Sequence, residues 1–447
     1  MDAAFVRRLE EAVGKPAAEA FLCAMKEPAA TSVRLNPSKC EGVHLPILEG
    51  AEKVPWSPWG HILTERPVFT LHPLFHAGVY YVQDSSAMFV GEVLRKVLPD
   101  VKRVRVLDLC AAPGGKTTDV AASLRSVYGD DFLLVANEPM RKRATVLADN
   151  VAKWGDPNVV VTTNDPKDFS SLKGFFDIVI ADVPCSGEGM FRKDDEALRQ
   201  WSEDNVALCA SRQKRIVADV WPALKQGGTL IYSTCTFNSD ENDLNAGWIM
   251  ENLGAEVCCD ELPPDGIIKT KYGYSLVPGL VPGEGQYCSA LRKISPEEEM
   301  RVKVRGKFEA SKRLAPLFGI EMTEKEKGGL VIAVPANIAQ DAAALEERLS
   351  VVSAGCAVGN YVKRGELVPD EDLALCIKLS DEAFPSAEVD KKTALSFLHK
   401  DTFLLEDASL GIVLIRYKGV PLGFVKNMGT RINNLHPLSR RIRMDIE

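Results

Sequence analysis

The chain has 447 residues, more than one compact core accommodates and enough for about two to four domains. At 46% hydrophobic and 26% charged residues it has the composition of a folded globular protein, and its net charge of −8 argues against a broad nucleic-acid clamp while leaving room for a local basic face. No apolar run of about 18 residues occurs and MDAAFVRRLEEAVG at the start lacks a secretory apolar core, so neither a bilayer span nor export is expected. Eleven cysteines, an odd number without a C-x-x-C pair, point to a reducing cytoplasm. Cys258 and Cys259 are neighbours and cannot form a two-clip metal ribbon alone. His72 and His76 would share a helix face, but Pro73 and Gly78 predict a turn, and no metal site is expected.

In chain order, the first predicted element is a helix from Ala3 to Met25. Trp56 and Trp59 follow in a proline-rich loop, where packing is favoured over stacking on bases. From about residue 100 to 293, short β-branched runs alternate with longer amphipathic segments, the pattern of a doubly wound α/β sheet. Strands are read at Val104 to Leu109, at FLLVANE ending on Glu138, at NVVVTTND ending on Asp165, at FFDIVIADVPC carrying Asp182 and Cys185, and at GGTLIYSTC ending on Cys235. Helices are read from near Thr117, where Val120, Ala121 and Leu124 recur at helical spacing, from Met140 to Trp154, and from about Glu203 to Leu224. Near the end, IVLIRY and LGFVK flank a turn-like KGVP and predict a small β-domain.

Each core strand ends on a polar or reactive residue, and open α/β sheets bind ligands outside the carboxyl ends of their strands, near the switch in strand order. The first strand runs into CAAPGGK, residues Cys110, Ala111, Ala112, Pro113, Gly114, Gly115 and Lys116. A dinucleotide fold would carry G-x-G-x-x-G here, and a phosphate loop would carry G-x-x-x-x-G-K-[ST]. Cys110 stands where the first glycine of the phosphate loop belongs, which makes an ATPase a near miss. Glu138, at the end of the second strand, can accept two hydrogen bonds from ribose hydroxyls. Asp165, in TNDP, reads equally as a turn-former beside proline and as a contact to adenine, and its place at a strand end favours the ligand. Asp182 closes a buried apolar strand at the same edge, and Pro184 fixes the chain ahead of Cys185. Lone cysteines are usually small buried hydrophobes, which is the reading for Cys209, Cys258, Cys356 and Cys376; Cys185 and Cys235 are exceptions by position. Two thiols converging on one nucleotide-like cofactor suggest covalent chemistry on a pyrimidine base.

Three blocks, DLCAAPGGKT, ADVPCSGEGMFRKD and YSTCTFNSDEN, together resemble the Nol/Nop/Sun family of S-adenosylmethionine-dependent RNA cytosine-5 methyltransferases, in the family's order. TSVRLNP and YVQDSSAM look like its N-terminal segment, GEGQYCSALRK like its last core strand, and PLGFVKNMGTRINNLHPLSRRIR like the C-terminal extension of the bacterial RsmF-type branch. The resemblance is weakest between about 296 and 380. It implies a Rossmann-like class I methyltransferase core with a doubly wound, mostly parallel sheet, a small N-terminal α+β domain and a PUA-like β-rich RNA-binding region. The corresponding divisions are 1–95, 96–295, a linking subdomain at 296–380, and 381–447.

The same resemblance makes Cys235 the nucleophile and gives Cys185 a part in releasing the product. DNA cytosine methyltransferases attack with a Pro-Cys thiol, so attack by Cys185 stays open. Asp182 is expected to hydrogen-bond the cytosine, and Lys116 to contact cofactor or substrate. S-adenosylmethionine is the expected cofactor, held by residues 110–116, Glu138, Asp165 and Asp182. The expected partner is RNA, 16S rRNA or the small ribosomal subunit, for a cytoplasmic monomer without a membrane role. A tRNA substrate is the nearest rival, and a catalytically silent RNA-binding assembly factor is a third class. RNA contacts are expected from the basic stretch carrying Arg416, Lys418, Lys426, Arg431, Arg440, Arg441 and Arg443 against Asp445 and Glu447, with the N-terminal segment, its helix from Ala3 to Met25 and Arg34 and Asn36 in VRLNP, as a second surface.

Overall fold

The computed structural model describes residues 1–446 apart from 260, 301–303, 305, 307, 363–364 and 406–407, so Glu447 lies outside the described residues. Asp2 caps the first helix, α1 (Ala3–Val13), by accepting from the Ala4 amide. The single helix predicted to Met25 is interrupted: Gly14 turns at φ 83°, and Pro16 stands in the first turn of a second helix, α2 (Lys15–Ala24). The pair buries Phe5, Leu9 and Phe21 against Phe191 and Phe237, the latter just beyond Cys235. A small antiparallel sheet follows, formed by β1 (Ser32–Leu35), β2 (Glu52–Lys53), β3 (Gly60–Ile62) and β4 (Tyr80–Val82) in the order β2-β3-β1-β4. The turn predicted at Pro73 is a one-turn helix, α3 (Pro73–His76); His72 contacts the Tyr80 hydroxyl at 2.8 Å and His76 the Thr70 carbonyl at 2.9 Å.

Arg34 and Asn36 do not form an RNA-contact surface, because both are buried. Arg34 donates to Gln83 Oε1 (2.8 Å), Thr118 Oγ1 (2.5 Å) and the Gly115 carbonyl (3.1 Å), with Asp119 at 3.8 Å as counter-charge. Asn36 donates to the carbonyls of Gly78 and Trp154. A buried guanidinium needs such compensation, and here it fastens β1 to the core behind the glycine turn. Trp56 is buried edge-on to Phe89 and Trp59 lies under Arg95, as the packing reading expected.

Helix α4 (Phe89–Val97) leads into the core: β5 (Val104–Asp108), α5 (Gly115–Tyr128), β6 (Phe132–Asn137), α6 (Arg141–Trp154), β7 (Val159–Thr162), β8 (Phe176–Asp182), α7 (Asp195–Gln200), α8 (Glu203–Val220), β9 (Leu224–Thr234) and α9 (Asp243–Ile249). Five strands pair in parallel in the order β9-β8-β5-β6-β7. The chain winds outward from β5 to β7 and then crosses to β8 on the other side, so the switch in strand order lies between β5 and β8. Val104 and Val106 pack with α4 and α5 on one face, while Leu107 packs with α8 on the other, which is why these strands are apolar throughout. Beyond β9 the sheet turns antiparallel through β10 (Ala255–Val257), β11 (Ile268–Lys269), β12 (Tyr274–Leu276) and β13 (Gln286–Lys293).

The linking segment contains β14 (Glu309–Ala310), β15 (Met322–Lys327), β16 (Leu330–Pro335), α10 (Ala339–Arg348), β17 (Val351–Ala354), β18 (Cys356–Tyr361), β19 (Leu367–Pro369) and α11 (Glu371–Leu375). It does not stand apart from the core. β17 pairs with β7, Val351 opposite Thr162, and forms the far edge of a ten-stranded sheet, while β14, β15, β16, β18 and β19 form a sheet of their own. The C-terminal sheet has the order β20 (Ser386–Glu388), β21 (Gly411–Tyr417), β22 (Val420–Asn427), β23 (Ile432–Asn434), with α12 (Lys391–His399) packed on it. Lys418 and Gly419 link β21 to β22 at φ 52° and 77°, the paired positive φ of a two-residue hairpin turn. Phe397, Leu398, Val413 and Ile415 share one core with Val33, Leu74 and Tyr80, so the N- and C-terminal regions are packed together. Among the described residues no helix is long and apolar enough to cross a membrane.

Candidate active site

Leaving β5, residues 109–114 pass over the sheet edge before α5 begins, and the Ala112–Pro113 peptide is cis. Gly114 caps the helix at φ 115°, a conformation that side chains other than glycine rarely adopt. The loop is held from outside: the Ala111 amide donates to the Asn137 carbonyl at 2.8 Å, Arg143 donates to the Ala112 carbonyl at 2.9 Å, and Asn150 to the Pro113 carbonyl at 2.8 Å. Cys110 is half-buried there, and burial with the nearby carboxylates of Asp182 and Asp108 pushes its thiol well up. Glu138 is buried just past β6, taking the Met140 amide at 2.9 Å and Arg143 at 3.2 Å. Asp165 accepts from the Lys167 amide and caps its own turn, the local role that competed with a ligand contact.

Lys116, in the first turn of α5, reaches Asp182 at the end of β8, Nζ to Oδ2 2.8 Å. Burial pulls the Lys116 ammonium down, but the charge and hydrogen bond of Asp182, with Cys235 nearby, outweigh it and raise its affinity for the proton. Asp182 Oδ1 accepts from Ser233 Oγ at 2.7 Å, its register partner on β9. Because β8 and β9 are parallel neighbours in register, the residues that follow them come together: Cys185 Sγ and Cys235 Sγ are 3.0 Å apart, and the Cys235 amide donates to Cys185 Sγ at 3.3 Å. The hydrogen bond with Cys235, together with burial, pushes the Cys185 thiol well above its ordinary value. Cys209, Cys356 and Cys376 are buried and Cys258 is half-buried, in line with the packing roles expected of them.

Three groups escaped the sequence reading. Asp108, at the end of β5, takes Thr117 Oγ1 at 2.7 Å on one oxygen and has no hydrogen-bond partner on the other; burial raises it to about 7. Glu188 and Glu241 are buried carboxylates on the turns that carry the two cysteines. Their signal was a lone Glu within each motif, SGEGM and SDEND, but only the fold shows what it faces.

Several residues of the basic C-terminal stretch are paired with acidic side chains. Arg440 pairs with Asp149, Glu371 and Asp372, Arg416 with Asp381, and Lys426 with Glu366. Lys418 donates to the His44 carbonyl, and Arg431, Arg441 and Arg443 stand exposed.

Residues 96–292 match the family model of 16S rRNA methyltransferase RsmB/F, residues 1–85 that of the N-terminal domain of 16S rRNA methyltransferase RsmF, and residues 384–442 that of the methyltransferase RsmF PUA domain. Among solved structures, a methyltransferase homolog protein from Pyrococcus horikoshii superposes with a TM-score of 0.54 at 24% identity, covering 66% of this chain and 95% of its own. NSun6 from the same organism, solved with SFG, gives a TM-score of 0.54 at 17% identity over 66% of this chain and 98% of its own. These two likenesses establish the fold of the core. A ribosomal RNA small subunit methyltransferase F from Aliivibrio fischeri is 34% identical over 70% of this chain and 68% of its own. Another, from Aeromonas salmonicida, is 30% identical over 93% of this chain and 92% of its own length. With all three regions matched in order and likeness of that extent, the chain belongs to the ribosomal RNA small subunit methyltransferase F family.

Proposed function

We propose that the protein is an S-adenosylmethionine-dependent RNA cytosine-C5 methyltransferase that modifies 16S rRNA. The observation that carries this reading is the pair of thiols 3.0 Å apart beside an Asp182 already paired to Lys116.

The strand-end residues fit the cofactor. Asp108, Glu138 and Asp182 make an acidic edge suited to a cationic sulfonium and ammonium, and one buried Asp108 oxygen has no hydrogen-bond partner among the described residues. The main chain of residues 110–116 with Glu138, Asp165 and Asp182 would hold it, the carboxylate of Glu138 being placed for ribose hydroxyls. When bound, S-adenosylmethionine supplies an electrophilic methyl group.

C5 of cytosine is too weakly nucleophilic on its own, and a thiolate added at C6 turns C5 into an enamine-like carbon. Cys235, the cysteine of the Ser-Thr-Cys block, is the nucleophile that the family resemblance implies, and its thiol lies 3.0 Å from that of Cys185. Asp182, steadied by Lys116 and Ser233, hydrogen-bonds the cytosine amino group or ring nitrogen as charge builds there. Cys185, whose Sγ lies 3.0 Å from that of Cys235, helps to release the product once the methyl group is transferred. Exposed Arg431, Arg441 and Arg443, with Lys418, are side chains of the C-terminal region available to hold flanking RNA phosphates.

Tritium transfer from labelled cofactor to 16S rRNA tests the reading. Cys235→Ala is expected to abolish both transfer and the covalent RNA adduct, while Cys185→Ala is expected to accumulate an adduct that does not resolve. An adduct that survives Cys235→Ala reverses the roles, and an unchanged bisulfite map of rRNA from cells lacking the gene overturns the function.

A further inference from the structure

Cys185 and Cys235 belong to separate turns fifty residues apart in sequence, and each turn carries one buried carboxylate that reaches into the other. Glu188, on the Cys185 turn, accepts from Thr236 Oγ1 (2.5 Å), the Phe237 amide (2.9 Å) and the Asn238 amide (3.0 Å), the three residues that follow Cys235. Its second oxygen takes Trp201 Nε1 at 2.9 Å. Glu241, on the Cys235 turn, accepts from the amide of Ser186, the residue after Cys185, at 3.0 Å, and from Gln213 Nε2 at 2.7 Å. Its other oxygen takes Asn238 Nδ2 at 2.8 Å, and between the carboxylates Ser186 Oγ meets Thr236 Oγ1 at 3.0 Å.

Among the described residues neither carboxylate has an ion-pair partner, although Glu188 is 1% and Glu241 0% exposed. Burying two carboxyl groups without an ion pair is costly, burial itself raising Glu241 above its ordinary value, and apolar side chains would fill the same space at less cost. What the carboxylates provide and apolar groups cannot is a fixed set of directed acceptors for backbone N–H groups on the opposite turn. We propose that Glu188 and Glu241 are positioning residues, a crossed clasp that sets the distance and direction between the two thiols. They touch neither substrate nor cofactor in this role, and its catalytic consequence rests on the methyltransferase reading above.

The clasp predicts two separable losses. In Glu188→Gln and Glu241→Gln an amide N–H2 faces donors in place of an oxygen, so the turns shift; displacement on the scale of 1 Å lowers kcat by about 10²-fold, while KM for 16S rRNA stays within about threefold because RNA-contacting side chains are untouched. The second readout needs no methyl transfer. Diamide, itself reduced, oxidises the Cys185 and Cys235 thiols of the full-length protein to a disulfide, and peptide mass spectrometry follows its formation. Wild-type protein is expected to cross-link at least about tenfold faster than either variant at equal native content by circular dichroism. Thr236→Val, which removes one donor and no charge, is expected to slow cross-linking to an intermediate rate and keeps the test available if a Gln variant does not fold. Folded variants that cross-link at the wild-type rate overturn the clasp. Slowed cross-linking in the variants, alongside wild-type protein that transfers no methyl group to RNA, upholds the clasp and sinks the methyltransferase reading instead.

Discussion

Lys116 and Asp182 meet at 2.8 Å across the sheet edge. Lys116→Met leaves Asp182 without its cation and lowers kcat for methyl transfer by roughly 10²-fold, and a kcat within threefold of wild type would remove Lys116 from the site. Cys185, Cys235, Asp182 and Lys116 follow apolar runs that must be buried, so their placement at the sheet edge could be read from the chain alone. Glu188 and Glu241 were not legible because their partners are backbone amides on a turn far away in sequence. Asp108 gives a pH expectation. Its folded value is about 7 against about 3.9 in an unfolded chain, so between those values the folded state holds a proton that the unfolded state has released. Stability therefore falls as pH rises from about 4 to about 7. Asp108→Asn removes that dependence, and its stability relative to wild type is expected to rise over this window by up to about 4 kcal/mol, measured as urea unfolding at pH 4 and pH 8. Parallel pH dependences in the two proteins would show that the carboxyl does not titrate in this range.

At the scale of elements, the parallel core was read correctly in order and type, because strands covered on both faces are continuously apolar and their helices keep a 3.6-residue period. Ends moved by a few residues, as with α8, which stops at Val220 before Pro222. The break between α1 and α2 was missed although Gly14 and Pro16 spell it out, since the apolar period continues across them. One close approach between elements bears on catalysis. A Cβ on Gly189 would stand 2.5 Å from Gly285 Cα and 2.9 Å from the Cys235 carbonyl, which the Gly189 amide contacts at 2.9 Å. These are backbone atoms with no side chain to swing aside, so Gly189→Ala must push the Cys235 turn outward. It is expected to cost about 1–3 kcal/mol of stability and to lower kcat more than it raises KM. Steady-state kinetics beside thermal unfolding check this, and a tolerated alanine would mean that the Cys235 turn is more yielding than its contacts imply.

For the whole molecule, packing and strand pairing cross the divisions drawn near residues 295 and 380. Two contacts could not be read from sequence because they join segments hundreds of residues apart: β17 completes the core sheet against β7, and the C-terminal sheet shares its apolar core with β1, α3 and β4. The electrostatic join is Arg440, whose side chain is 13% exposed and which faces Asp149 on α6 together with Glu371 and Asp372 on α11. Three carboxylates converge on that one guanidinium, and His436 adds a contact to Glu371. Arg440→Met keeps the length and the apolar stem of the side chain but leaves those acids facing one another in a mostly buried space. Removing one partner from such a network is expected to cost about 3–5 kcal/mol, read as a lower urea midpoint that added salt does little to restore because the charges are shielded from solvent. Were the C-terminal region an independent RNA-binding module, the midpoint of the core would not move. Loss at the core with Arg440→Met would therefore mean that the RNA-holding surface and the two-thiol site are fixed in one frame, which a flipped cytosine tethered to its flanking strand requires.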